Sequence, residues 1–189
     1  MFRVFGGDLL EVVILGLPAA VVIVGVRWLM LRTNRPQRQA LLDAVLEAGI
    51  VLNVGAVASI TLMPEPYTEV QKRVVWEPWT SDLAYGPERV QVIGNLILLA
   101  PLVLFLLLRL RPSRRLAVGV TLSVALPLAI ELGQATIIAG RVASIEDLIL
   151  GAAGGLLGTG AAAALAPRLE RWATPQAVPD DYSYGTVSR

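Results

Sequence analysis

Cysteine and histidine are both missing from the 189 residues. Without cysteine there is no disulfide, no thiol nucleophile and no cysteine-based metal site. Without histidine the chain also lacks the commonest general base and the commonest transition-metal ligand. Any catalysis must rest on carboxylates, hydroxyls or basic side chains, and neither a metal nor a cofactor is expected. No P-loop, dinucleotide fingerprint, zinc motif or repeat array is present. The arginines flank apolar stretches and are not interleaved with base-stacking aromatics, which argues against a nucleic-acid partner. Only 16% of residues are charged, with a net charge of +1. That total says little, but its distribution along the chain says a good deal.

What the sequence has in abundance is apolar surface. Hydrophobic residues make up 55% of the chain and the mean hydropathy is +0.65. A soluble domain of this length could hardly hide so much. A helix crossing a bilayer core needs about 20 mostly apolar residues, and five stretches qualify: about 9–31, 40–63 with a firm core from 48, 92–110, 116–138 and 148–166. The expected fold is therefore an all-α integral membrane protein, a bundle of about five transmembrane helices. The first stretch begins with Asp8 and Glu11, ends in arginines and has no small-residue cleavage site, so it reads as a retained span. Asp43 and Glu47 occupy the opening turns of the second. Their i, i+4 spacing puts both on one face, in the headgroup zone or against protein.

Arginine sets the orientation. Arg32, Arg35 and Arg38 follow the first span, Arg109, Arg111, Arg114 and Arg115 close the third, and Arg168 and Arg171 follow the fifth. These regions share one side, which the positive-inside rule assigns to the cytoplasm. The N-terminus is then outside, together with the acid-rich loop 64–90 and the connection 139–146; Arg3 is the one misfit. Three regions result: an extra N-terminal helix with a basic connection (1–39), a four-helix membrane domain (40–166), and a polar tail (167–189). The tail is expected to be disordered and cytoplasmic from about Thr174.

The fourth span carries "AIELGQ", with Glu131 about seven residues from its outer end, roughly 10 Å deep at 1.5 Å per residue. A charge there costs about 2.5–3.5 kcal/mol on insertion scales, so it should face protein or a wet cavity. Ser123, Pro127, Glu131 and Gln134 fall on one stripe. "GRVASIEDLILGAAGG" follows, with Arg141 expected to reach back to Glu131 and Asp147 opening the fifth span at the same membrane face. Ser144 to Asp147 also has the form of a capping box. Gly151/Gly155 and Gly154/Gly158 have G-x-x-x-G spacing, suited to close helix packing. Asn95 enters the third span at the same outer level, after "WEPW", whose Trp76 and Trp79 are expected to be interfacial anchors.

Taken in order, "TLMPEP", "WEPW", "GNLILLAPLVLF", "AIELGQ" and "GRVASIEDLILGAAGGLLG" resemble the VanZ-like membrane proteins, over about residues 45–160. The resemblance implies a protein of the bacterial plasma membrane and cell envelope. The family takes its name from a protein associated with resistance to glycopeptide antibiotics, teicoplanin in particular. The family often carries Asn four residues after the Asp, where this chain has Gly151.

Two function classes stay open. In the first, the protein binds an amphipathic or lipid-linked envelope molecule, or an antibiotic, at the outer leaflet, using Asn95, Glu131, Gln134, Arg141 and Asp147. In the second it is a small membrane enzyme acting on a lipid-linked precursor, with Glu131 as general acid or base. No recognisable nucleophile–base pair is present, which favours the binder. A structural alternative stands beside both: Glu131 and Gln134 as an interhelical hydrogen-bond clamp.

Overall fold

The computed structural model describes the backbone of residues 2–62, 74–77, 86–137 and 143–174, with side chains at 16–61, 74–77, 92–137 and 143–174. Six helical segments follow in order: α1 (Phe2–Leu31), α2 (Gln37–Leu62), α3 (Gly86–Leu98), α4 (Ala100–Leu108), α5 (Pro112–Thr136) and α6 (Ile145–Ala173). Among the described residues, three stretches are long and apolar enough to cross a membrane: Gln37–Thr61, Pro112–Thr136 and Ile145–Ala173. Gly16–Leu31 and Val92–Leu108 are apolar but shorter. The described residues are thus mostly helical, and each apolar stretch expected from the sequence lies largely in helix.

The third stretch is not the continuous helix expected over 92–110. It breaks at Leu99, between α3 and α4. Pro101 has no N–H to return to the carbonyl four residues back, and its ring crowds that turn. A proline at the start of α4 is well placed, because the first amides of a helix lack partners in any case. At the other end, α6 runs past Ala166 and through Pro167 to Ala173, so the stretch expected to open the tail is helical to that point. The remainder of the tail lies outside the described residues.

Helix ends alternate between the two ends of the bundle, and side-chain pairs fix which belong together. At one end Glu47 of α2 pairs with Arg27 of α1 and, at 2.7 Å, with Arg109 just after α4. There too Arg115 of α5 reaches Glu170 of α6 at 2.6 Å, and Arg38 of α2 lies over the Trp172 ring of α6. Arg35 pairs with Asp43. Of the two settings open to Asp43 and Glu47, both residues take a protein contact. The opposite end holds Thr61, Asn95, Gln134 and Ser144, described below.

Packing is tightest around α6. A Cβ added to Gly154 would lie 2.0 Å from the carbonyl oxygen of Leu96, and one added to Gly158 would lie 2.3 Å from that of Ala100. Gly151 and Gly155 instead meet α5, at 2.8 Å from the Pro127 Cβ and 2.7 Å from the Ser123 Cα. The two overlapping G-x-x-x-G pairs therefore face different neighbours. Gly154 and Gly158 receive the broken α3–α4 backbone, and Gly151 and Gly155 receive α5. Dispersion and close approach replace the hydrophobic effect as the force holding helices together in lipid. Deeper toward the arginine-rich end, Val103, Leu107 and Ala162 form a fully buried core joined by Val118, Leu122 and Leu126.

Candidate functional site

Three helices bring polar side chains together at the end opposite the arginines. Glu131 stands near the end of α5, and its Oε2 accepts a hydrogen bond from the backbone N–H of Ser144 at 2.8 Å. Ser144 is the N-cap of α6, and its hydroxyl accepts from the amide of Glu146 at 3.2 Å. In an ordinary capping box the carboxylate three residues after the cap returns to the cap's own amide. Here that amide donates to a carboxylate of another helix. Asp147, the residue in the box position, accepts from the Asn95 side-chain amide of α3. The sequence motif is correct in placing the cap at Ser144. The carboxylate serving its amide is Glu131.

Gln134 is buried, and its Nε2 donates to the carbonyl of Thr61 at the end of α2, at 3.4 Å. The stripe read from the sequence therefore does turn inward: Ser123, Pro127 and Gln134 are all buried. Ser123 donates to the Gly119 carbonyl at 2.7 Å and lies 3.5 Å from the Thr159 hydroxyl, closing a polar patch deep between α5 and α6. Glu131 itself is only part-buried, as a side chain at the edge of the bundle would be.

A feature that the sequence did not reveal lies over this cluster. Val74–Val75 (β1) and Ala143–Ser144 (β2) form a two-stranded parallel sheet, with Val74 opposite Ala143 and Val75 opposite Ser144. A segment of the long connection between α2 and α3 is thereby tied by its backbone to the very residue that caps α6 and donates to Glu131. Trp76 follows directly and is 75% exposed. Two-residue strands give no period to read, which is why the pairing was invisible in the sequence. Glu146 was also missed: it is 4% exposed, at the second helical position of α6. Its place next to Ser144 and Asp147 was the available signal.

Asn95, Glu131, Gln134 and Asp147 thus share one end of the bundle, joined as Asn95–Asp147, Glu131–Ser144 and Gln134–Thr61. Arg141 and Trp79 lie outside the described residues. The described residues contain no group of three or more acidic or other ligand side chains able to hold a metal ion. Gly151, standing where the resembled family often has Asn, is filled against Pro127, and an Asn there would require α5 and α6 to separate.

Apolar helices of spanning length, packed through glycine and carrying a polar cluster at one end, define a helical membrane protein. The chain belongs to the VanZ/LLP1 family, whose sequence profile matches residues 19–166, from within α1 to within α6. Comparison with curated proteins and with solved structures finds no significant match.

Proposed function

We propose that this protein is a multi-pass protein of the bacterial plasma membrane that binds an amphipathic or lipid-linked envelope molecule at the outer leaflet. It crosses the membrane five times, with its N-terminus outside and its C-terminus in the cytoplasm. The concentration of arginines at one end of the bundle supports that orientation. The end with Asn95, Glu131, Gln134 and Asp147 then faces outward.

The observation carrying the reading is the convergence of α3, α5 and α6 on the Glu131–Ser144 and Asn95–Asp147 contacts. Polar groups so placed, in a protein otherwise presenting apolar side chains, suit a ligand with an apolar tail and a hydrogen-bonding head. Arg141 completes the proposed anchor set and supplies the positive charge. Because β1 pairs with β2 through Ser144, ligand engaging the outer loop and ligand engaging Glu131 would report on one another. A contribution to glycopeptide resistance, teicoplanin resistance included, is the cellular consequence that family membership suggests.

The test is purified full-length protein in nanodiscs, titrated with a polyprenyl-diphosphate-linked saccharide. Saturable binding without product supports the proposal. Turnover of the probe would replace it with the enzyme reading, in which Glu131 is a general acid or base.

A further inference from the structure

At the arginine-rich end, α2 and α6 meet through Arg38 and Trp172, with the guanidinium carbon 5.8 Å from the ring centroid. Each helix presents the same sequence of chemistry inward from that point. On α2, Arg38 is followed at i+3 and i+7 by Leu41 and Val45, which are exposed. On α6, reading back from exposed Trp172, Arg168 lies at i−4 and Leu165 at i−7, and all three are exposed. Residues at these spacings share a helix face. Both faces therefore run from a guanidinium at the membrane boundary to apolar side chains one or two turns deeper.

The charges at this end differ in what they engage. Arg27, Arg35, Arg109 and Arg115 are paired with Glu47, Asp43 and Glu170. Arg38 and Arg168 have no carboxylate partner among the described residues; Arg38 is held over an indole instead. An indole face orients a guanidinium without neutralising it. Arg38, held over Trp172, and exposed Arg168 one turn away on α6 are two uncompensated guanidiniums above exposed leucine and valine, and they match a phosphate with acyl chains hanging below it.

We infer that the α2–α6 face built from Arg38, Leu41, Val45, Leu165, Arg168 and Trp172 is a binding site for an anionic phospholipid of the leaflet at the arginine-rich end. Arg38 and Arg168 hold the headgroup phosphate, which an Arg fork contacts through two parallel N–H donors. Leu41, Val45 and Leu165 lie along the acyl chain. This site is at the opposite end of the bundle from Glu131 and does not depend on the ligand proposed there.

The experiment titrates phosphatidylglycerol, phosphatidylcholine or soluble glycerol phosphate into the full chain in a zwitterionic detergent and reads thermal melting. Phosphatidylglycerol should raise the melting temperature saturably, while the other two should not. In R38Q/R168Q the half-saturating phosphatidylglycerol concentration should rise roughly thirtyfold, as expected for two juxtamembrane arginines. R111Q/R114Q removes two arginines from the same end but outside this face, and should keep the parent's response. Arg168 makes no described side-chain contact, so R168Q alone, expected to lose about fivefold, gives the answer should the double variant not fold. Three results would overturn the site: an equal shift with phosphatidylcholine, an equal shift with glycerol phosphate, or an equal loss in R111Q/R114Q.

Discussion

Glu131 of α5 accepts the backbone N–H of Ser144 at 2.8 Å, so a carboxylate in one helix completes the N-cap of the next. The greasy run around "AIELGQ" carries a carboxyl group that serves as the acceptor at the start of α6. The same contact anchors β2, and through it the β1 segment of the connection between α2 and α3. A structural role for Glu131 is therefore in place. The proposed ligand role is an additional demand on the same side chain, and the two are separable by substitution.

Removing the acceptor should cost stability. Glu131→Ala leaves the part-buried Ser144 amide without it, and a donor left unmade costs up to about 1–3 kcal/mol when fully buried, so a loss of about 1 kcal/mol is expected. Unfolding of detergent-solubilised protein measures this. A loss indistinguishable from zero would mean that water serves the Ser144 amide equally well.

The Asn95–Asp147 contact joins α3 to α6. Asn95→Ala and Asp147→Ala should be non-additive in a double-mutant cycle, with a coupling of about 0.5–3 kcal/mol. Strict additivity would remove this contact from the account of how the cluster is held.

Two glycines of α6 give opposite predictions from one substitution. Gly154→Ala places a Cβ against the Leu96 carbonyl oxygen, 2.0 Å away before relaxation, and overpacking of this kind costs about 1–3 kcal/mol. Gly160→Ala meets nothing within 4 Å and should be neutral or stabilising by up to about 1 kcal/mol from helix propensity. Melting temperatures of the two variants should therefore move apart. Equal behaviour would contradict the close approach of α6 to the α3–α4 break.

Orientation is tested by reporter fusions. A reporter active only in the cytoplasm should work after Arg115 and after Arg171, and should fail between Glu65 and Glu88. Activity from the 65–88 loop would overturn the five-span arrangement with the N-terminus outside.

The helices were legible because spans announce themselves by length and apolarity, and the inward stripe of Ser123, Pro127 and Gln134 by its period. The break at Leu99 was foreshadowed by Pro101, but a proline inside an apolar run can kink a helix or end it, and the surroundings decide which. For the glycines the spacing showed close packing and not its partners. Assigning Gly154 to Leu96 and Gly151 to Pro127 requires the three-dimensional order of the helices. Ser144 was recognisable as a cap, yet the source of the carboxylate at its amide was not. A capping box is a local pattern, and Glu131 reaches Ser144 from a different helix. Glu47 could be placed at a helix opening, but its joining of Arg27 to Arg109 depends on α1, α2 and α4 being neighbours.

The most direct test of the central claim is Glu131→Gln. The amide oxygen can still accept from the Ser144 N–H in nearly the same shape, so expression and melting should match the parent. What the amide lacks is the carboxylate's full acceptor capacity, because one oxygen is replaced by an NH2 that cannot accept from a sugar hydroxyl of the probe. Binding of the polyprenyl-diphosphate-linked saccharide in nanodiscs, measured side by side for parent and variant, should then be abolished in Glu131→Gln. Unchanged binding by a folded Glu131→Gln protein would contradict the ligand role and leave Glu131 as the interhelical cap of α6 alone.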